Sequence, residues 1–115
     1  MTDVDYVREQ LQGERIAVIV QGISLALALT DESLVTGKRG LFGRWGNRLE
    51  RFPLTAVAAV QVIPNPTANV LRVEFAGTPP HSLAVVFPAS AQAELRDMEV
   101  LLLEWKDGSR RRAVG

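Results

Sequence analysis

The one concentration of side chains suited to chemistry lies between Lys38 and Arg51. Lys38, Arg39, Arg44, Arg48 and Arg51 are set against a single acid, Glu50, a net of +4 in a chain whose 13 basic and 13 acidic residues otherwise cancel. Glycines at 37, 40, 43 and 46 let backbone amides approach a bound phosphate. Phe42 and Trp45 offer wedges for a lipid interface or a platform for a stacked base. The chemistry that this composition supports is anion binding. It also suits a solvated hairpin tip, the blander reading, or an arm that grips another subunit.

Catalysis finds little support elsewhere. The chain has no cysteine and one histidine, His81, so thiolate sites and disulfides are excluded and no nitrogen–sulfur ligand set can be assembled. His81 and Ser82 are neighbours on an extended run, where adjacent side chains point to opposite faces, so they do not form a dyad. No nucleophile elbow, phosphate loop or H-E-x-x-H occurs. Asp31 and Glu32 belong to a turn, and Glu94, Asp97 and Glu104 to the water side of a helix. The expectation is a non-enzymatic protein with no cofactor and no metal.

The elements that must position the basic loop are legible from periodicity. A helix over about Thr2 to Gln12 starts in a capping box of Thr2 and Asp5, presents Val4, Val7 and Leu11 on one side, and stops at Gly13. Two apolar runs follow, Arg15–Gln21 and Ser24–Leu29, in the second of which Leu25, Leu27 and Leu29 alternate with smaller residues and point inward. Gly22 either separates two strands or bends one. Strands over Leu34–Lys38 and Arg48–Phe52 flank the basic loop, a crossover runs from Leu54 to Ala58, and a strand spans Ala59–Ile63. Leu71, Val73 and Phe75, then Leu83, Val85 and Phe87, mark two more strands across the Gly77–Pro80 turn.

The chain closes in a helix from about Ala89 to Trp105. Ala91, Leu95, Met98, Leu102 and Trp105 form one stripe at spacings of four and three, with Ser90 as N-cap and Gly108 as the stop. Burying its four large residues is worth roughly 6–12 kcal/mol gross at 1.5–3 each. Val100, Leu101 and Leu103 widen the apolar arc, which makes them a candidate self-association face. At 115 residues the chain is one domain, with a core over about 15–106 and a flexible tail over 107–115 that includes Arg110, Arg111 and Arg112. The longest apolar run, Ile16–Leu29, is too short and interrupted to span a bilayer, and the segment ahead of it is acidic where a secretory leader is basic, so a cytoplasmic location is expected. Eleven arginines against two lysines give the composition of a GC-rich bacterial genome.

Seven short strands and one terminal amphipathic helix resemble the pleckstrin-homology superfold. Ala28–Gly40 (A-L-T-D-E-S-L-V-T-G-K-R-G) is similar to the Thr-Asp-x-x-Leu strand entry of bacterial PH-like and GRAM-like domains. Phe52–Val60 (F-P-L-T-A-V-A-A-V) is similar to their proline-led crossover, and Val70–Phe75 (V-L-R-V-E-F) to their leucine-first fifth strand. The resemblance covers roughly Ile16 to Trp105. It implies a seven-stranded antiparallel β-sandwich, or partly open barrel, capped by one helix and preceded here by a short N-terminal helix. It also implies a lipid-head-group, peptide or self-association module. The turn Gln21–Ser24 carries none of the basic residues that phosphoinositide-binding members place across their first two strands.

Three functional readings follow. The first is a binding or assembly module that forms a homo-oligomer or takes a protein partner. The second is a peripheral membrane or anionic-ligand binder that uses Lys38, Arg39, Phe42, Arg44, Trp45, Arg48 and Arg51. The third, disfavoured by the neutral total charge, is a small β-barrel nucleic-acid binder that uses the same loop.

Overall fold

The computed structural model describes residues 2–38 and 48–114, with side chains up to Lys106. Helix α1 spans Asp3–Gln10. The expected capping box is present: the Thr2 hydroxyl accepts from the Asp5 amide, and the Asp5 carboxylate accepts from the Thr2 amide. Hydrogen bonding from the Thr2 amide first, and from the Thr2 side chain second, holds the Asp5 carboxyl below its ordinary range. Gly13, at φ 86°, takes the left-handed conformation that turns the chain out of the helix.

Seven strands follow: β1 Ile16–Gln21, β2 Ala26–Thr30, β3 Ser33–Lys38, β4 Arg48–Pro53, β5 Val57–Pro64, β6 Ala68–Phe75 and β7 His81–Pro88. They make two antiparallel sheets, β1-β2-β3-β4 and β5-β6-β7, which do not join into a closed barrel. Gly22 therefore divides two strands. Its amide donates to the Leu25 carbonyl, and the next amide, Ile23, donates across to Val86 in the other sheet. A β-carbon at Gly22 would lie 2.7 Å from the Leu25 oxygen and 3.0 Å from the Val86 oxygen. Both are backbone atoms that cannot rotate away, so this crossing requires glycine.

Between the sheets lies the main core, with Leu27, Leu29, Leu34, Leu71, Val73, Phe75, Val85 and Phe87 buried in it. Phe52 stacks on Phe75 there, ring centroids 4.8 Å apart. The expected leucine face of β2 is thus inward. Its alanine face is buried as well: Ala26 and Ala28, with Val35, form a second core under α1 around Val7 and Leu11. A strand covered on both sides needs small residues on the side where a helix backbone comes close. Gly37 on β3 is the extreme case, because Val7 occupies the place of its missing β-carbon. Gln21 ties α1 down: its side chain accepts from the Val4 amide and donates to the Asp3 carboxylate and to the Gly22 carbonyl.

At the opposite end a 3₁₀ turn, Leu54–Ala56, links the sheets. The Leu54 amide bonds to Glu32 in the β2–β3 turn, and Ala56 accepts from Ala76 beside the β6–β7 turn. After β7 a second 3₁₀ turn, Ala89–Ala91, leads into helix α2, Gln92–Val114. Leu95, Met98 and Leu102 are fully buried, Ala91 nearly so, and Trp105 is half-buried against the same core, as the stripe requires. The helix packs on β1, β5 and the Leu54–Ala56 turn.

Two end signals need correction. Ser90 is not a cap: it lies inside the 3₁₀ turn that the extended Pro88 initiates, with no side-chain cap bond. Gly108 does not stop α2, whose backbone continues to Val114. A mid-helix glycine costs only about 1 kcal/mol, and the arginines and alanine that follow are good helix formers. No described helix is long and apolar enough to cross a membrane.

Candidate functional site

The register of β3 and β4 decides where the basic residues go. Leu34 pairs with Phe52, Thr36 with Glu50 and Lys38 with Arg48. Paired residues share a face and alternate residues change face, so these three pairs lie on the side of the sheet that carries the main core. Moving outward along that side, the surface passes from apolar to polar to cationic. Lys38 and Arg48 are exposed at the rim, directly opposite each other. They line a groove with Ser24, Leu25, Thr36, Gly37 and Glu50. The β1–β2 turn forms its other wall, because Ala26 pairs with Gly37.

Two like charges set directly across a strand pair repel. An anion between them would relieve that repulsion. Ammonium, guanidinium and the Ser24 and Thr36 hydroxyls supply donors, and Glu50 makes the inner wall selective against deep entry of negative charge. Among the described residues neither Lys38 nor Arg48 takes part in an ion pair.

Arg51 is placed differently. It lies on the other face of β4, with Val35 and Leu49, and grips Glu14 through two hydrogen bonds of 2.6 and 2.7 Å. That grip holds the Glu14 carboxyl below its ordinary range and raises the Arg51 guanidinium above its own. It fastens the segment after α1 to the sheet, and Arg51 is not part of the rim. Arg39, Phe42, Arg44 and Trp45 lie outside the described residues. Ser24 and Thr36 carry no charge and escape a search by charge clustering; the strand register places Thr36 beside the cationic pair, and the turn after β1 brings Ser24 to the groove.

On α2, Val100 and Leu103 are 52% and 41% exposed, whereas Leu101 is half-buried and packs on the main core. Of the three candidate residues only Val100 and Leu103 therefore face outward. A groove between β1 and α2 is lined by Ala17, Val18, Asp97, Val100, Leu101 and Glu104. Ile23, 64% exposed, and Val86, 40% exposed, form a further apolar spot at the inter-sheet crossing, which the outward position of Val86 in the alternation of β7 already marks.

His81 and Ser82 are both exposed on β7, opposite Phe75 and Glu74 respectively. Among the described residues no three or more His, Cys, Asp or Glu side chains gather as a metal site. The chain matches no protein-family model, no curated protein and no solved structure.

Proposed function

We propose that this chain is a cytoplasmic, non-enzymatic binding module of the pleckstrin-homology type that holds an anionic group at the rim of its sandwich. The observation that carries the reading is the opposed pair Lys38 and Arg48, set on the core side of β3 and β4 in a groove with two hydroxyls. The order of seven strands and a terminal helix, arranged as a four-stranded and a three-stranded sheet, supports the pleckstrin-homology assignment. An assembly role is the second reading, favoured by the exposed Val100 and Leu103.

The test is retention on phosphatidylcholine vesicles with and without 30% phosphatidylserine, and titration with inorganic phosphate, at low salt. Each basic residue near an anionic surface contributes about 1 kcal/mol, or about fivefold in affinity. The Lys38→Ala/Arg48→Ala variant should bind phosphatidylserine vesicles roughly 25-fold more weakly than wild type, while Arg51→Ala binds normally. Equal binding by wild type and the double variant, or no binding of either probe, would refute the reading. Response to phosphate alone would assign the site to a free anion rather than to a membrane.

A further inference from the structure

Helix α2 carries two faces. One, built on Leu95, Met98 and Leu102, is wholly buried. The other carries Arg96, Val100, Leu103 and Glu104, all exposed; Arg96 and Glu104 each lie four residues from Val100 and Leu103 lies three from it, which keeps them together. Exposed branched aliphatic residues in mid-helix leave about half of two side chains in water. Beside them runs the groove shared with Ala17 and Val18 of β1, bordered by Asp97 and Glu104.

The order of charge along this face identifies its occupant. Arg96 stands one turn before Val100, and Glu104 stands one turn after it. A second helix laid antiparallel with its Val100 on this Val100 brings residue 96 of each copy opposite residue 104 of the other. Both ends of the contact then pair a guanidinium with a carboxylate. A parallel arrangement would instead set Arg96 on Arg96 and Glu104 on Glu104. The face is therefore complementary to itself under a two-fold axis and to no parallel copy, which is the isologous pattern of a homodimer.

We propose that two copies of this chain associate through α2, antiparallel and centred on Val100, with Leu103 and the β1-side groove completing the apolar contact and Arg96–Glu104 pairs closing both ends. A single helix face is at the small end of specific interfaces, so the dimer is weak and exchanging. The anion-binding rim lies on residues that this contact does not use.

The experiment is sedimentation velocity on the full chain from about 10 μM to 1 mM, a range suited to weak association. Wild type should move from 12.6 kDa toward twice that mass. Val100→Glu should remain monomeric over the whole range. Arg96→Glu and Glu104→Arg each create two like-charge contacts across the axis, and each alone should weaken association at least about tenfold. Mixing these two variants restores opposite charges at both ends, so the mixture should associate as wild type does. Unchanged near-ultraviolet dichroism in each variant verifies that the exposed substitutions leave the fold intact. The proposal is overturned by a wild type that stays monomeric at 1 mM, by a Val100→Glu dimer, or by a mixture that associates no better than its components.

Discussion

Replacing Gly37 with alanine tests the packing of α1 on the sheet at the level of one methyl group. The new β-carbon would overlap Val7 Cγ2 and come within 3.3 Å of Leu49 Cδ1. Val7 cannot swing aside, because a β-branched residue in a helix is confined to essentially one rotamer. Overpacking of this kind costs about 1–3 kcal/mol, offset by about 0.4–1 kcal/mol from the stiffer unfolded chain. If the helix lifts off instead, the ceiling is the burial of Val7 and Leu11, roughly 3–6 kcal/mol. The compensating change is Val7→Ala. Val7 Cβ would sit 3.6 Å from the new methyl, an ordinary contact, so the two substitutions together exchange two γ-methyls on the helix for one β-methyl on the strand. Val7→Ala alone removes two buried carbons, about 1.6 kcal/mol at 0.8 each before any cavity cost. The double variant should be no less stable than Val7→Ala, a coupling of at least about 1 kcal/mol between the sites. Urea denaturation of the four proteins reads this directly. Additive losses would refute the claim that Gly37 is small in order to admit Val7.

Other perturbations follow from the same packing. Leu95→Ala or Leu102→Ala should lose about 2–5 kcal/mol, seen as a drop in urea midpoint with unchanged slope. Gly22→Ala should destabilise more than Gly77→Ala, since its neighbours are backbone oxygens at 2.7 and 3.0 Å whereas Gly77 meets one at 3.3 Å; comparative melting temperatures check the order. Thr2→Ala should cost about 0.5–2 kcal/mol through loss of the cap, with amide exchange speeding up in α1 first. The Glu14 carboxyl has its folded pKa depressed by Arg51, so its contribution is complete above the ordinary glutamate value and is lost as pH falls through the folded one. The stability gap between wild type and Arg51→Ala should therefore narrow on acidification below about pH 4.3, and a gap that widens would contradict the sign.

Much of this arrangement could be read from residue order alone, for reasons that particular positions make plain. Leu71, Val73 and Phe75 alternate with Arg72 and Glu74 because one side of β6 meets the core and the other meets water, and alternation of that kind survives any tertiary detail. The stripe through Leu95, Met98 and Leu102 was equally plain, since one face of α2 is buried throughout. Legibility failed where two elements share a surface. Ala26 and Ala28 look like the solvent side of a leucine strand until α1 is known to cover them. Arg48 and Arg51 read as members of one cluster, but three residues along a strand is an odd offset, so one reaches the rim and the other reaches Glu14. Gly108 misled because a glycine signals a helix end only when the backbone turns left-handed, and α2 runs on.

The side chain of Gln21 has a consequence beyond holding a helix in place. One amide group contacts both the first residues of α1 and the carbonyl of Gly22, whose neighbour Ile23 makes the crossing to the second sheet. A mechanical pull on the chain at Asp3 or Val4 is thus transmitted within two residues to the seam where the halves of the sandwich meet, and from there to Ser24 beside the cationic edge. The amino-terminal helix and the turn that walls the Lys38–Arg48 groove are thus joined through a single side chain.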